Sequence, residues 1–191
     1  MRRICVGVMA GINENHFQDV LVLRCQMGDQ SAFERLIELY QAPLVCFVGT
    51  LLGRPQEAED VVQSVWLVVL RKICTLRDPR VLNVWLYQIA RRRVYLDLRR
   101  TRRFVALEEA EDQITPTQDG SIEVEKDEEI EKLYSCLQKI KPEYREVLML
   151  QFLEGMSIEQ ISGVTQCKAG TVKSRVFYAK LALKHEMERK S

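Results

Sequence analysis

Apolar residues recur at helical spacing along almost the whole chain, and no stretch alternates apolar and polar residues as a half-buried strand would. The pattern predicts an all-α protein. Phe17, Val20, Leu21 and Leu23 mark a first helix over Asn15–Met27, which Gly28 ends. Asp29 is placed to cap a second helix from Gln30, whose stripe runs Phe33, Leu36, Ile37, Tyr40, Leu44 and Phe47. Pro43 should kink it, and Gly53 should stop it. A third helix begins near Gln56, after Pro55. It buries Val61, Val62, Val65, Trp66 and Val69, and exposes Glu59, Asp60, Gln63 and Ser64. Asp78-Pro79 marks a loop from Cys74 to Asn83. From Val84 another helix has Trp85, Ile89 and Leu96 on its core side. Further on, Leu133, Leu137 and Ile140 mark a helix. Pro142 opens the next, with Tyr144, Val147, Leu148, Leu150 and Phe152 apolar, and Gly155 closes it.

The stretch from Met156 to Leu183 reads as two short helices joined by a tight turn. Ser157 and Gln160 form a capping box. Ile158, Ile161 and Val164 or Thr165 share one face. The break falls at Gln166, Cys167 and Lys168. In the second helix Val172, Val176, Ala179 and Leu183 make the buried side, while Thr171, Lys173, Ser174, Arg175 and Lys180 look outward. Small Ala169 and Gly170 open it, letting its N-terminus approach a partner backbone. This is the helix-turn-helix pattern, whose second helix lies in the DNA major groove. An ordinary helical hairpin with a solvated basic face fits the periodicity equally well.

Net charge is +1, and its distribution is more informative than its sum. Residues 1–105 hold 16 Lys/Arg against 10 Asp/Glu, residues 106–131 hold 1 against 11, and residues 132–191 hold 11 against 6. Two mildly basic blocks flank a self-repelling acidic segment, which reads as a linker. The division is a flexible tail over 1–14, a helical domain over 15–105, an acidic linker over 106–130 and a helix-turn-helix domain over 131–191. Between Arg91 and Arg103 lie seven arginines and one acid, Asp97, with Trp85, Tyr87 and Tyr95 interleaved or adjacent. A solvated face usually mixes both signs, so this one favours phosphate. The acids of the third helix either complement its dipole or dock a basic partner.

Cys5, Cys25, Cys46, Cys74, Cys136 and Cys167 are scattered, which is neither a zinc pattern nor a disulfide framework; they read as small buried thiols of a reducing cytoplasm. His16 and His185 are isolated. The apolar run at the N-terminus is short and interrupted by Gly7, and no second segment approaches a membrane span. There is no glycine-rich phosphate loop, acid/base pair or activated nucleophile, so no enzyme, metal or cofactor is expected.

Four stretches together resemble the bacterial RNA polymerase sigma factors of the small, two-domain, extracytoplasmic-function class, over roughly residues 17–185. They are Asp29-Gln-Ser-Ala-Phe-Glu-Arg-Leu-Ile-Glu-Leu-Tyr, Glu57-Ala-Glu-Asp-Val-Val-Gln-Ser-Val-Trp-Leu, Trp85-Leu-Tyr-Gln-Ile-Ala-Arg with Asp97 and Arg99-Arg100, and Ser157-Ile-Glu-Gln-Ile with Gly170-Thr-Val-Lys-Ser-Arg. The resemblance implies a subunit without catalysis of its own, whose partners are core RNA polymerase and promoter DNA, with an anti-sigma factor as a further partner of the class. It implies that Glu59, Asp60 and Gln63 contact the polymerase clamp. Trp85, Arg91, Arg92, Arg99 and Arg100 would melt and read the −10 element, and the Cys74–Asn83 loop would hold a flipped base, at a cost of a few kcal/mol that stacking and phosphate contacts offset. Lys168, Thr171, Lys173, Ser174 and Arg175 would contact the −35 element. The acidic linker would mimic RNA in the polymerase cleft. Two departures stand out. The turn lacks the family's usual glycine and capping serine, having Gln166 and Lys168 there, and Arg92 stands where asparagine is common. A free-standing helix-turn-helix regulator, or an adaptor that sequesters a polymerase partner, is the competing reading.

Overall fold

The computed structural model describes residues 13–108 and 128–189, and among them all regular structure is helical. Eight α-helices follow in order: α1 (Asn13–Gln26), α2 (Gln30–Leu52), α3 (Ala58–Lys72), α4 (Leu82–Glu108), α5 (Glu128–Lys139), α6 (Pro142–Leu148), α7 (Ile158–Thr165) and α8 (Ala169–Glu188). The tail expected over 1–14 lies outside the described residues except for positions 13 and 14, which open α1. Cys5 lies outside them too. The ends of the expected 106–130 linker are helical, closing α4 and opening α5, and residues 109–127 lie outside.

Local chemistry sets the boundaries. The Asp29 carboxylate accepts from the Ala32 N–H at the start of α2. Hydrogen bonds from Ser31, from Arg24 and from that N–H hold it down at about 2. Gly53 ends α2 in the left-handed region, φ 70°, which glycine adopts without Cβ strain. Pro43 sits inside α2. Pro55–Glu57 forms a 3-10 turn ahead of α3. The loop expected over Cys74–Asn83 is two 3-10 turns, Ile73–Thr75 and Pro79–Val81, and Asn83 already belongs to α4. A π-helical turn over Met149–Leu153 extends α6, and Gly155 follows with φ 62°.

Helices α1–α4 bury Leu36, Leu44, Phe47, Val62 and Leu86, while α5–α8 bury Val147, Leu150, Ile161 and Val172, and the two sets merge into one apolar core. In α4 the expected core side is corrected. Leu96 is 52% exposed and Trp85 half-buried, whereas Tyr87 is fully buried with its ring edge-on to Phe47 at 5.0 Å. Ile89 is buried as expected, and the core side runs through Leu82, Leu86, Ala90 and Val94, because α4 packs against α2, α3 and α7. The thiols also differ from expectation. Cys25 and Cys136 are buried and Cys167 is half-buried, but Cys46 and Cys74 are exposed. Contrary to the hydropathy reading, α2 is long and apolar enough to cross a membrane by length and composition. Here it is a core helix, with ten buried residues against α1, α3 and α4.

The halves are joined through a buried guanidinium. Arg145 of α6 is 6% exposed and, among the described residues, pairs with no carboxylate. It donates from Nε to the Leu137 carbonyl at 2.8 Å, from Nη1 to the Thr50 carbonyl at 2.8 Å and the Gln138 Oε1 at 2.6 Å, and from Nη2 to the Gln138 carbonyl at 2.9 Å. The three backbone acceptors are among the last carbonyls of α5 and α2, where the helix dipole is negative. Arg145→Ala strands several buried acceptors at once, so denaturant unfolding is expected to show a loss of about 3 kcal/mol. A loss below about 1 kcal/mol would contradict this assignment.

Candidate nucleic-acid and polymerase interfaces

On α3, Val61, Val62, Val65, Trp66 and Val69 turn inward as expected, and Glu59, Asp60 and Gln63 are exposed in the first turns; Ser64 is half-buried. The same face continues into Leu67 and Leu70, which are 54% and 56% exposed. Periodicity gave these two leucines no role. Their off-stripe positions were the available signal, since an apolar residue outside the core stripe of a helix is left facing solvent. The face is therefore acidic at its start and apolar further on, suited to a basic, partly apolar partner.

The arginines of α4 divide between two faces. Arg92, Arg99 and Arg100 are exposed on one stripe, with Leu96 among them and Trp85 at its upstream end. The one acid, Asp97, is taken by Arg54 at 2.9 Å, and Arg54 also pairs with Glu57. That leaves the exposed stripe dominated by positive charge. Arg91 is different. It stacks over the Tyr95 ring at 4.7 Å, and its Nε donates to Glu146 Oε1 at 2.6 Å. Glu146 lies on α6 with its side chain 1% exposed. Burial raises its carboxyl, partly countered by the charge of Arg91. The Tyr95 hydroxyl, 3.5 Å from Glu146 Oε2, is likewise pushed up by burial. The side chains of Arg102 and Arg103 lie outside the described residues.

The C-terminal pair has the predicted form. The Ser157 N–H donates to Gln160 Oε1 at 2.8 Å and the Gln160 N–H to Ser157 Oγ at 3.2 Å, which closes the capping box. Ile161, Val164 and Thr165 are buried. Gln166 takes the left-handed backbone, φ 58°, the only non-glycine to do so among the described residues. Its amide donates to the Gly163 carbonyl at 2.6 Å, and Ser162 Oγ donates to the Cys167 carbonyl at 2.5 Å, so side chains hold a turn that lacks glycine. Lys168 stands at the N-cap of α8 with no side-chain cap bond.

Along α8, Thr171, Lys173 and Ser174 are exposed, as expected. Arg175 is not on that outer face. It is half-buried, its Nη1 lies 3.2 Å from Cys167 Sγ, and its charge lowers the Glu146 carboxyl. One turn further, Phe177 and Tyr178 are 60% and 54% exposed and packed edge to face at 5.4 Å. They share a face with Lys173 and Ser174, and an exposed ring beside a lysine can meet a thymine methyl next to a phosphate. An apolar groove of about 560 Å³ opens between α5, α6 and α8, lined by Leu133, Leu137, Leu148, Met149, Phe152 and Met187. Among the described residues, no group of His, Cys, Asp or Glu side chains is placed to hold a metal ion.

Residues 36–104 match the family described as Sigma-70 region 2, and residues 130–183 match Sigma-70, region 4. The chain is 30% identical over 173 residues to the RNA polymerase sigma-H factor of Pseudomonas aeruginosa, an alignment covering 85% of this chain and 90% of that protein. It is 28% identical over 178 residues to the ECF RNA polymerase sigma-E factor of Haemophilus influenzae, covering 88% and 94%. The solved structure of the sigma factor RpoE in complex with the anti-sigma factor NepR from Bartonella quintana superposes with a TM-score of 0.67 at 26% identity, over 82% of this chain and 96% of that one. CnrH, in complex with the cytosolic domain of CnrY, shares the fold at a TM-score of 0.68, 24% identity, and 91% and 99% coverage.

The uncapped start of α8 yields a test of the turn. Lys168→Ser supplies the missing cap acceptor and should raise stability by about 1 kcal/mol in denaturant unfolding. A loss of stability would show that the lysine, not a cap, suits this turn.

Proposed function

The chain belongs to the RNA polymerase sigma factors, in the extracytoplasmic-function class, and from that premise we propose how its surfaces share the work of promoter-directed initiation. As a sigma factor it binds core RNA polymerase and directs transcription initiation at promoters. Catalysis belongs to the polymerase. The observation that carries the assignment of surfaces is the exposed Arg92, Arg99 and Arg100 stripe of α4 in the same chain as a capped helix-turn-helix.

Glu59, Asp60 and Gln63 dock the polymerase clamp, with Leu67 and Leu70 adding apolar contact. Trp85, Arg92, Arg99 and Arg100 meet the −10 element, the arginines on phosphate and the tryptophan beside the melted bases. Arg91 joins them once it leaves Glu146. Lys168, Thr171, Lys173 and Ser174 meet the −35 element. Arg175 braces the turn from behind, through Cys167, and acts on DNA by positioning α8. The N-terminal domain of residues 15–105 thus serves the −10 element and the C-terminal domain of 131–191 the −35 element. The acidic 106–130 segment follows the polymerase path that RNA later takes. A cytoplasmic location follows from the partners. Since the related RpoE of Bartonella quintana is held by an anti-sigma factor, one is expected to control this chain as well. A free-standing regulator would leave both the acidic face of α3 and the arginine stripe of α4 without a task.

Two measurements separate the surfaces. Asp60→Arg should weaken association with core polymerase by roughly tenfold in a pull-down titration, because like charges then oppose at the clamp. Normal association would remove α3 from the docking surface. Lys173→Ala should weaken promoter binding by the holoenzyme evenly across upstream sequences and lower the salt slope by about 1, with core binding unchanged. A loss of core binding instead would reverse the division of labour.

A further inference from the structure

The segment between α3 and α4 has only two 3-10 turns of its own, Ile73–Thr75 and Pro79–Val81, and both of its ends are tied to α1. At the upstream end the tie is Gln26, the last residue of α1. Gln26 Nε2 donates to the Ile73 carbonyl at 3.0 Å and to the Leu76 carbonyl at 2.7 Å, and the Cys74 thiol donates to the Gln26 carbonyl at 3.7 Å. That carbonyl is one of those a helix leaves over at its C-terminus. At the downstream end Gln18 Nε2 donates to Asn83 Oδ1 at 3.1 Å and also to the Tyr40 hydroxyl, which itself donates to Asn83 Oδ1. Tyr40 is buried, and burial pushes its hydroxyl up, so it stays a proton donor. The two glutamines lie about 12 Å apart along α1.

Asn83 stands two residues before Trp85, and the segment between the ties is the loop expected to hold a flipped base. Its middle is braced internally. Asp78 accepts from the Arg80 N–H at 3.1 Å and from the Arg80 guanidinium at 2.9 and 3.0 Å, and those bonds hold its carboxyl below the usual value. Leu76 is buried beneath, while Arg77 and Val81 face solvent, a cation and an apolar side chain that a base and its phosphate can meet. The upstream turn is different. A cavity of about 530 Å³ lined by Phe33, Leu70 and Cys74 lies beside it, so on that side bonds and not packing hold it. A pocket that orders only as its ligand arrives loses that ordering cost from the binding, and one already formed does not.

We propose that Gln18 and Gln26 of α1 are positioning residues for promoter melting: by tying both ends of the 73–83 segment they hold it in one shape before a base enters. The inference rests on the assignment of Trp85 and the adjoining loop to the −10 element. Neither glutamine touches DNA. Each acts through the backbone or the asparagine it bonds, and the primary amide suits this because it offers two donors from one nitrogen. Capture of a base must offset the cost of unstacking it, so a loop that is loose at either end weakens melting while docking on polymerase and reading of the upstream element continue.

The test uses holoenzyme made from core RNA polymerase and the full-length chain, with a promoter found by mapping transcript starts on genomic fragments. The probe is the non-template strand across its −10 element, a fluorescein-labelled single-stranded 20-mer, with each −10 base replaced in turn by an abasic site. Anisotropy reads the affinity. The wild type is compared with Gln26→Met and Gln18→Met, which keep side-chain length and remove the donors, and with Gln26→Glu, which keeps the shape and replaces donors by acceptors. Circular dichroism and core association are measured for each, and both are expected to match the wild type. The wild type should lose at least about tenfold in affinity when the captured base is missing, and the variants less than about twofold at that position, with unchanged responses at the others. On the duplex promoter, permanganate reactivity of unpaired thymines should fall about tenfold in the variants, and a template mismatched over the −10 element should restore their initiation. A general weakening of the chain would lower affinity for every probe alike, and that result overturns the proposal. A variant that keeps the wild-type response at the captured base overturns the role of its glutamine. Loss of core association would place Gln26 in docking instead, and failure of the mismatched template to restore initiation would place the defect after melting. If the wild type itself responds at no base, the loop captures none, and the underlying assignment fails rather than the tie.

Discussion

Two adjacent charged residues of α6, Arg145 and Glu146, are buried, and the arrangement of the other helices follows from satisfying them. A desolvated ion is tolerated only when its bonding capacity is met. Arg145 meets that demand with carbonyls at the ends of α5 and α2. This fixes where α5 stops and brings the end of α2 against α6. Glu146 meets it with Arg91, which fixes the rotation of α4 about its axis. A single turn of a seven-residue helix thereby sets the position of three longer ones.

Helix α4 is where this constraint meets function. It presents Leu82, Leu86, Ala90 and Val94 to the N-terminal core, Val84, Gln88, Arg91 and Tyr95 to the C-terminal half, and Arg92, Leu96, Arg99 and Arg100 to solvent. The outward stripe is an electrostatic surface whose one nearby acid is neutralised by Arg54. The face toward α7 has the composition of an interface, with a tight glycine contact, an amide-to-carbonyl bond and an ion pair at its centre. The sigma factor thus holds an exposed and a covered set of contacts on one helix, so the exposure of the second set depends on how the two halves are placed.

How much of this was legible in the sequence depended on range. The Ser157–Gln160 capping box, the Asp29 cap and the buried stripe of α3 are decided within a few residues, and each reads directly from spacing; the left-handed Gln166 follows from the family's usual glycine at that turn. The family resemblance rested on such local runs, and the matched regions contain three of the four together with the end of the first. Tyr87 and Leu96 exchanged roles because one apolar stripe was sought on a helix that packs on two sides. Arg145 and Glu146 were invisible for a related reason. A charged residue in a short amphipathic helix reads as solvated, and only the three-dimensional neighbours, separated by 95 and 55 positions in the chain, show otherwise. Arg175 was placed on the outer face by its type, while its packing against Cys167 turned it back toward the turn.

The account stands or falls on whether this chain gives polymerase its choice of start site. The direct measurement is transcription in vitro with purified protein, core RNA polymerase and a fragment library of the host genome, with transcript starts mapped. Discrete starts that share two spaced upstream elements, absent with core alone, are the predicted result. No stimulation of core, together with tight sequence-specific binding by the protein alone, would contradict it and leave a free-standing regulator in its place.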